Sequence, residues 1–221
     1  MQYANILSAR FVDRPNRFLA HVTVDGTAQT VHVKNTGRCR ELLCPGAEVF
    51  LTTPGTPHRK TAYDLVCVRK AGGLLVNVDS QAPNQVAREW LETQGFDTIV
   101  PEYRYGESRL DFFMQRGNER YLMEVKGCTL EKDGVGYFPD APTERGVKHL
   151  TELCRAAETG WCAAMLFVIQ MDGITEVRPN EETHPAFGQA WREARKAGVR
   201  IQFLPCHVEP DRLCFTSVIT V

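Results

Sequence analysis

The sequence predicts an α/β chain in two parts: an OB-type β-barrel over residues 1–80, then an α/β domain with a mixed sheet over residues 81–221. Three observations predict it. Short alternating runs split by turn residues crowd the first part. Runs of helical period begin only after the loop Asp79-Ser80-Gln81-Ala82-Pro83-Asn84. From there the segments follow the order α-β-β-β-α-β, a sheet covered by helices.

In the first part, Phe18-Leu19-Ala20-His21-Val22-Thr23-Val24 alternates, Asp25-Gly26 turns the chain, and Thr30-Val31-His32-Val33 returns. That is a hairpin signature. Residues 48–51, 63–68 and 74–78 are further strands, with Gly72-Gly73 turning between the last two. Five or six short strands in this length suit a small barrel. Arg40-Glu41-Leu42-Leu43 reads as one helical turn, ended by Pro45-Gly46.

In the second part, Asn84 is the expected cap of a helix that carries Val86, Ala87, Trp90 and Leu91 at helical spacing. Gly95 closes it. Strands are expected at about 99–105, 109–115 and 121–126, with Gly117-Asn118 turning between the last two. After a Gly-rich loop, Asp133-Gly134-Val135-Gly136, Thr143 caps a second helix. Its apolar stripe is Val147, Leu150, Cys154 and Ala157. Residues 163–169 are almost wholly apolar, as a buried central strand should be. A helix at 185–196 and strands at 201–204 and 215–220 complete the part.

The apolar share of 43% is enough for a real core. No run of about 18 apolar residues exists, so no transmembrane helix and no membrane partner is expected. Met1-Gln2-Tyr3-Ala4-Asn5 lacks the character of a signal peptide, and the expected location is cytoplasmic. Eight cysteines occur without a CxxC pair, which favours buried free thiols over disulfides or zinc. The net charge of −1 argues against a strongly basic nucleic-acid binder. The balance is uneven, however. Residues 1–80 hold ten Lys/Arg against six Asp/Glu, and residues 81–221 hold sixteen against twenty-one. A mildly basic first part suits phosphates, and an acidic second part suits a metal.

The chemistry points to two strand-like runs. Glu124 and Lys126 are two apart, so they share one face of a strand. Asp111 stands in the strand before. Two carboxylates and one ammonium on paired strands can bind a divalent cation and activate water for phosphodiester hydrolysis. Mg²⁺ (or Mn²⁺) is the expected cofactor, because it takes oxygen ligands and keeps several waters. Asp111 and Glu124 are its expected ligands, with the carbonyl of Val125 as a third. Lys126 would orient or deprotonate the water, or steady transition-state charge. A Glu-x-Lys alone is ordinarily a surface ion pair. Here the charges stand in apolar strand sequence, where they cost free energy without a partner or a task.

This trio, on an α-β-β-β-α-β order, resembles the PD-(D/E)XK nuclease-like superfamily. In that resemblance Asp111 takes the place of the motif Asp and Glu124-Val125-Lys126 matches the E-x-K. Glu89, on the preceding helix, matches the acidic residue that some members add to the metal site, and Glu102 is a similar candidate. Leu110 precedes Asp111, where the motif can carry Pro. A wider resemblance covers nearly the whole chain and is to the sugar fermentation stimulation protein family of bacteria and archaea. It rests on Thr36-Gly37-Arg38, Glu41-Leu42-Leu43, Pro45-Gly46, Gln81-Ala82-Pro83-Asn84 and Ser108-Arg109-Leu110-Asp111-Phe112. It continues through Glu124-Val125-Lys126, Phe138-Pro139-Asp140-Ala141-Pro142-Thr143-Glu144-Arg145-Gly146 and His149-Leu150. The resemblance implies non-specific DNA binding, a regulatory role in sugar (maltose) metabolism, and an OB-like domain ahead of a nuclease-like one.

DNA is thus the expected partner. Arg10, Arg14 and Arg17 cluster with Phe11 and Phe18, a mixture suited to backbone contact and base stacking. Arg38 and Arg40 flank a Gly-containing turn, and Arg38 is the first choice because the family match falls on it. Arg109 lies beside Asp111. Arg145 and Lys148, with His149, open the second helix, whose start can hold phosphate. His21, His32, His58, His184 and His207 have no metal spacing and read as structural or surface residues. Two other readings stay open: a non-catalytic DNA-binding regulator with a vestigial metal site, and an enzyme on a small phosphorylated or nucleotide substrate.

Overall fold

The computed structural model describes residues 1–35, 37–54 and 59–221. Thr36 and His58 therefore lie outside the described residues. The first part contains β1 (Leu7–Asn16), β2 (Leu19–Val24), β3 (Thr27–Val33), β4 (Glu48–Thr52), β5 (Asp64–Arg69) and β6 (Leu75–Asn77). Their order is β3-β2-β1-β4-β5-β6, and β3 also pairs with β5, which closes five of them into a barrel. This is the OB-type barrel that the alternating runs predict. Asp25 and Gly26 sit at φ 47° and 78°, the left-handed pair that a two-residue hairpin requires. The alternation does not reveal β1, because only Ala9 and Phe11 of it are buried. The 40–43 segment makes a single isolated turn, closed by the Leu43 N–H on Cys39 O at 2.9 Å.

The second part runs α1 (Ala82–Glu92), β7 (Thr98–Tyr105), β8 (Ser108–Arg116), β9 (Glu119–Cys128), β10 (Leu130–Lys132), β11 (Val135–Phe138), α2 (Glu144–Glu158) and β12 (Cys162–Ile169). Then come β13 (Val177–Pro179), α3 (Pro185–Lys196), β14 (Arg200–Glu209), β15 (Arg212–Phe215) and β16 (Ile219–Thr220). The main sheet has the order β15-β14-β12-β9-β8-β7, with β16 on β14. β12 is parallel to β9 and β14, while β8 is antiparallel to both its neighbours, so the sheet is mixed. In the main sheet and its helices the expected α-β-β-β-α-β order is present, with the β10–β11 hairpin of a separate small sheet inserted before α2.

Three details differ from the sequence expectation. The Gly-rich loop is the turn of the β10–β11 hairpin, with Asp133 and Gly134 at φ 51° and 80°. The cap of α1 is Gln81, with Pro83 in the first turn, where a missing N–H costs nothing. The buried stripe of α2 is rotated: Leu150, Leu153 and Ala156 are buried, with His149 and Glu152 beside them. The Thr143 cap is as expected, its Oγ1 accepting the Gly146 N–H at 3.0 Å.

Two apolar clusters hold the parts together. One joins Val22, Val49 and Leu65 of the barrel to Leu150, Phe167, Phe187 and Trp191. The other packs Val86, Trp90 and Leu91 of α1 on Phe112, Met123 and Leu166, and takes in Phe50 and Val66 of the barrel. Neither cluster belongs to one part alone. Buried Gln170 adds a polar tie, donating from Nε2 to Asn77 Oδ1 and to the carbonyls of Asn77 and Asp79 at 2.9–3.0 Å. Gly127 lets β9 pass beneath α1: a Cβ there would lie 2.8 Å from Pro83 Cγ and would also collide with Gln170.

All eight cysteines are free. Burial pushes the thiols of Cys39, Cys67, Cys128 and Cys206 up to about 12. No helix among the described residues is long and apolar enough to cross a membrane.

Candidate active site

The site forms where two strands part. β8 and β9 pair as far as Phe112↔Met123. Just beyond, the Asp111 side chain takes over from the ladder. Its Oδ2 accepts the Val125 N–H at 2.7 Å and its Oδ1 accepts Asn84 Nδ2 at 2.7 Å. Asn84, expected as a cap, thus serves the site. Across β7 the register brackets Asp111 with Glu102, since Pro101 faces Phe112 and Tyr103 faces Leu110. Glu102 sits at φ 57°, a conformation that costs a non-glycine residue about 1 kcal/mol. The sheet edge is therefore irregular on both sides of the carboxylate.

β9 is held from its other flank by parallel pairing with β12, where Glu124 faces Met165 and Lys126 faces Phe167. Glu124 is 2% exposed. Lys126 Nζ and His149 Nδ1 both bond its Oε1. Its Oε2 is buried with no hydrogen-bond partner among the described residues. His149 is buried on α2, and its Nε2 accepts from Arg145 Nε at 3.3 Å, which places the ring proton on Nδ1. Arg145, His149 and Glu124 thus form a relay that ends on one carboxylate oxygen.

The two carboxyls are tuned apart. Burial, and then the Glu124 charge, pushes Asp111 above its ordinary value, against the bonds from Val125 and Asn84. Burial also raises Glu124, but the His149 hydrogen bond and the Lys126 charge outweigh it and hold Glu124 below the usual range. A cleft of about 350 Å³ opens over these groups, bordered by Ser80, Val125, Thr143 and Arg145.

The structure therefore gathers Asp111, Glu124, Val125, Lys126 and Arg145. It does not gather Glu89, which corrects the expectation of a ligand there. Glu89 lies five residues from Asn84, about 140° around the helix, and pairs with the Met1 amine at 2.8 Å. Arg109 and Glu102 pair with each other at 2.6 Å on the exposed side of the sheet. Lys148 reaches the carbonyl of Glu107 at 3.3 Å. Arg40 is exposed away from the cleft, and Arg38 borders a neighbouring depression. His32 bonds Asp64 at 3.0 Å and His184 accepts the Thr143 N–H at 3.2 Å, both structural roles. His149 is the residue that spacing rules missed. Its signal was the Arg145–His149 pair, one helical turn apart on the helix after Glu124-x-Lys126. Among the described residues no three His, Cys, Asp or Glu side chains are arranged to ligate one metal ion together.

A closed OB barrel followed by a mixed sheet with helices, with Asp111, Glu124 and Lys126 where its strands part, defines a two-domain α/β protein. The chain belongs to the sugar fermentation stimulation protein family. The family model for the SfsA N-terminal OB domain matches residues 12–78, and that for the sugar fermentation stimulation protein RE domain matches residues 81–212. The chain is 50% identical over 224 residues to a sugar fermentation stimulation protein homolog of Desulfitobacterium hafniense, covering 100% of this chain and 98% of that one. It is 46% identical over 213 residues to a homolog of Ruminiclostridium cellulolyticum, covering 95% and 94%. Among solved structures it is similar to Pyrococcus furiosus SfsA in complex with Ca²⁺, with a TM-score of 0.85 and 27% identity over 100% of this chain and 95% of that one.

Proposed function

We propose that this chain binds nucleic acid and hydrolyses phosphodiester bonds at a divalent-metal site on Asp111 and Glu124. One observation carries the reading: Glu124 borders the same cleft as Asp111, and its buried Oε2 has no hydrogen-bond partner among the described residues. An unpaired buried carboxylate oxygen beside a second carboxyl is costly without a cation. Two carboxylates fit Mg²⁺ or Mn²⁺, which keep waters in the remaining positions. His149 is already turned onto Glu124 Oε1, so the site offers carboxylate oxygens rather than the closed nitrogen and sulfur set of a structural zinc. The Ca²⁺ complex of the Pyrococcus furiosus relative supports a hard, oxygen-binding cation here too.

When bound, such a cation polarises a phosphate and lowers the pKa of water. The chain's own residues do the rest. Asp111 and Glu124 would hold the ion, and Val125 lines the same cleft. Asn84 and the Val125 N–H fix the Asp111 carboxylate. His149 and Lys126 keep Glu124 ionised and occupy Oε1, which leaves Oε2 as the ligand atom. Lys126 carries positive charge where transition-state charge develops and orients the attacking water. Arg145 and the first turn of α2 draw in the substrate phosphate. The family name ties the chain to sugar fermentation. We read that tie as acting through DNA, because the cleft offers metal ligands and cations rather than a sugar pocket.

The test is product formation from single-stranded, double-stranded and branched DNA and from RNA, with Mg²⁺ or Mn²⁺. Cleavage should require the cation and fall on the order of 10³-fold in Asp111→Ala or Glu124→Ala. Lys126→Ala should also be slowed. Cleavage that persists in the Asp111→Ala, Glu124→Ala double variant overturns the assignment. Absence of product from every substrate under either ion leaves a binding protein alone.

A further inference from the structure

We propose that the partner is a single strand of nucleic acid, led from the barrel into the acidic cleft along a basic trough with Phe18 at its outer end. The inference rests on the metal-site reading above and adds the strand's path and its single-stranded character.

The acidic cleft is not isolated. A depression of about 510 Å³ lies between barrel and sheet, bordered by Arg17, Asn35, Arg38, Thr143 and one carboxyl, Asp140. A smaller one of about 160 Å³ is bordered by Phe18, Lys34 and Asn35. Ser80 borders both of these and the acidic cleft as well. Thr143 borders the acidic cleft and the larger depression. The three therefore form one branched trough, with carboxylates at one end and the barrel loops at the other.

Those barrel loops are built, not loose. Arg14 Nη1 donates to the carbonyls of Gly37 and Arg38 at 2.8 and 2.9 Å. Its Nη2 donates to the carbonyls of Arg17 and Asn35 at 2.7 and 2.6 Å. One guanidinium thus clips the β1–β2 tip to the chain after β3. Asn16 Oδ1 tightens the tip by accepting the N–H groups of Phe18 and Leu19 at 2.9 and 3.1 Å.

The side chains on these loops are unspent. Arg17 and Arg38 are exposed, have no ion-pair partner among the described residues, and border the same depression. Phe18 is 52% exposed, the sole aromatic among the exposed large hydrophobic residues. A ring standing in water beside two unpaired arginines fits an unstacked base flanked by phosphates. A duplex keeps its bases stacked inside and would meet the arginines only. The ring is therefore what selects a single strand over a duplex.

Fluorescence anisotropy of the full chain in Ca²⁺ tests this with labelled oligo-dT, oligo-rU and a duplex of the same length. Both single strands should bind at least tenfold more tightly than the duplex. A preference between dT and rU supports the path and names the sugar it accepts. Phe18→Ala should weaken single-strand binding about fivefold or more and leave the duplex unchanged. Arg17→Ala with Arg38→Ala should flatten the log–log salt slope for single strands by about 1.4. Each variant should keep the cation-dependent rise in Tm, which shows an intact fold and metal site. Duplex binding as tight as single-strand binding, or a silent Phe18→Ala, overturns the proposal. If the wild type shows no cation-dependent rise while Phe18→Ala still weakens strand binding, the metal reading fails and the strand path stands.

Discussion

Asp79 and Glu124 are almost equally buried, 1% and 2% exposed, and each meets a lysine. At Asp79, Oδ2 takes Lys34 Nζ at 2.6 Å and the Tyr3 hydroxyl at 3.2 Å, and Oδ1 takes the Gln81 N–H at 2.9 Å. Both oxygens are used. At Glu124, Lys126 and His149 crowd onto Oε1 while Oε2 has none. A second carboxyl, Asp111, adds like charge. The chain has the means to complete a buried carboxylate and does so where the linker meets the barrel. Where it leaves one incomplete, beside a like charge and in an open cleft, the proposed cation would supply the missing partner.

Substitutions can break this contrast. After the loss of cleavage in Asp111→Ala, the largest effect should come from Asp79→Ala. It removes one partner of a completed pair and should cost about 3–5 kcal/mol in urea unfolding. The cation-dependent rise in Tm should survive it. Loss of that rise would mean that Asp79 belongs to the site. His149→Ala should do the reverse. Stability should change less, but cation affinity by titration calorimetry should weaken about 10–100-fold, as for a group that orients a metal ligand. An unchanged affinity would reduce His149 to packing.

Asp111→Asn sharpens the contrast by pH. The folded pKa of Asp111 is raised, so the folded chain binds that proton more tightly than the unfolded chain does. Its contribution is fully present below the unfolded value and is lost as pH rises through the folded one. Without cation, the Tm advantage of Asp111→Asn should therefore grow as pH rises through that folded value and then level off. Glu124 runs the other way: its contribution is present above its unfolded value and is lost as pH falls through its lowered folded one. Added cation should erase the advantage, because wild type gains binding energy and the variant does not. The smallest effect should be that of Glu89→Gln, with cleavage within about twofold of wild type, because Glu89 pairs with the Met1 amine and does not line the cleft.

Much of this was legible because charge in an apolar strand is conspicuous. Asp111, Glu124 and Lys126 interrupt buried β8 and β9, and period-two alternation placed them on those strands. What failed was angular register on helices. The superfamily resemblance put Glu89 near the carboxylates, yet the turn of α1 presents Asn84 to Asp111 instead. Likewise the stripe of α2 is shifted, which brings His149 inward. The β10–β11 hairpin was hidden although Asp133-Gly134 is a strong turn signal, because Leu130-Glu131-Lys132 carries one apolar residue and no alternation to flank it. β1 was hidden for the same reason, its polar face outweighing two buried side chains.

The Arg14 clip has a consequence for change over time. It grips four main-chain oxygens and no side chain. Every residue type offers such an oxygen, so the clip is blind to what stands at positions 17 and 38. Those side chains can be exchanged, and the preference of the trough retuned, while the scaffold beneath them keeps its shape. Position 14 has no such freedom, since a lysine could not span two loops with a planar fork of donors.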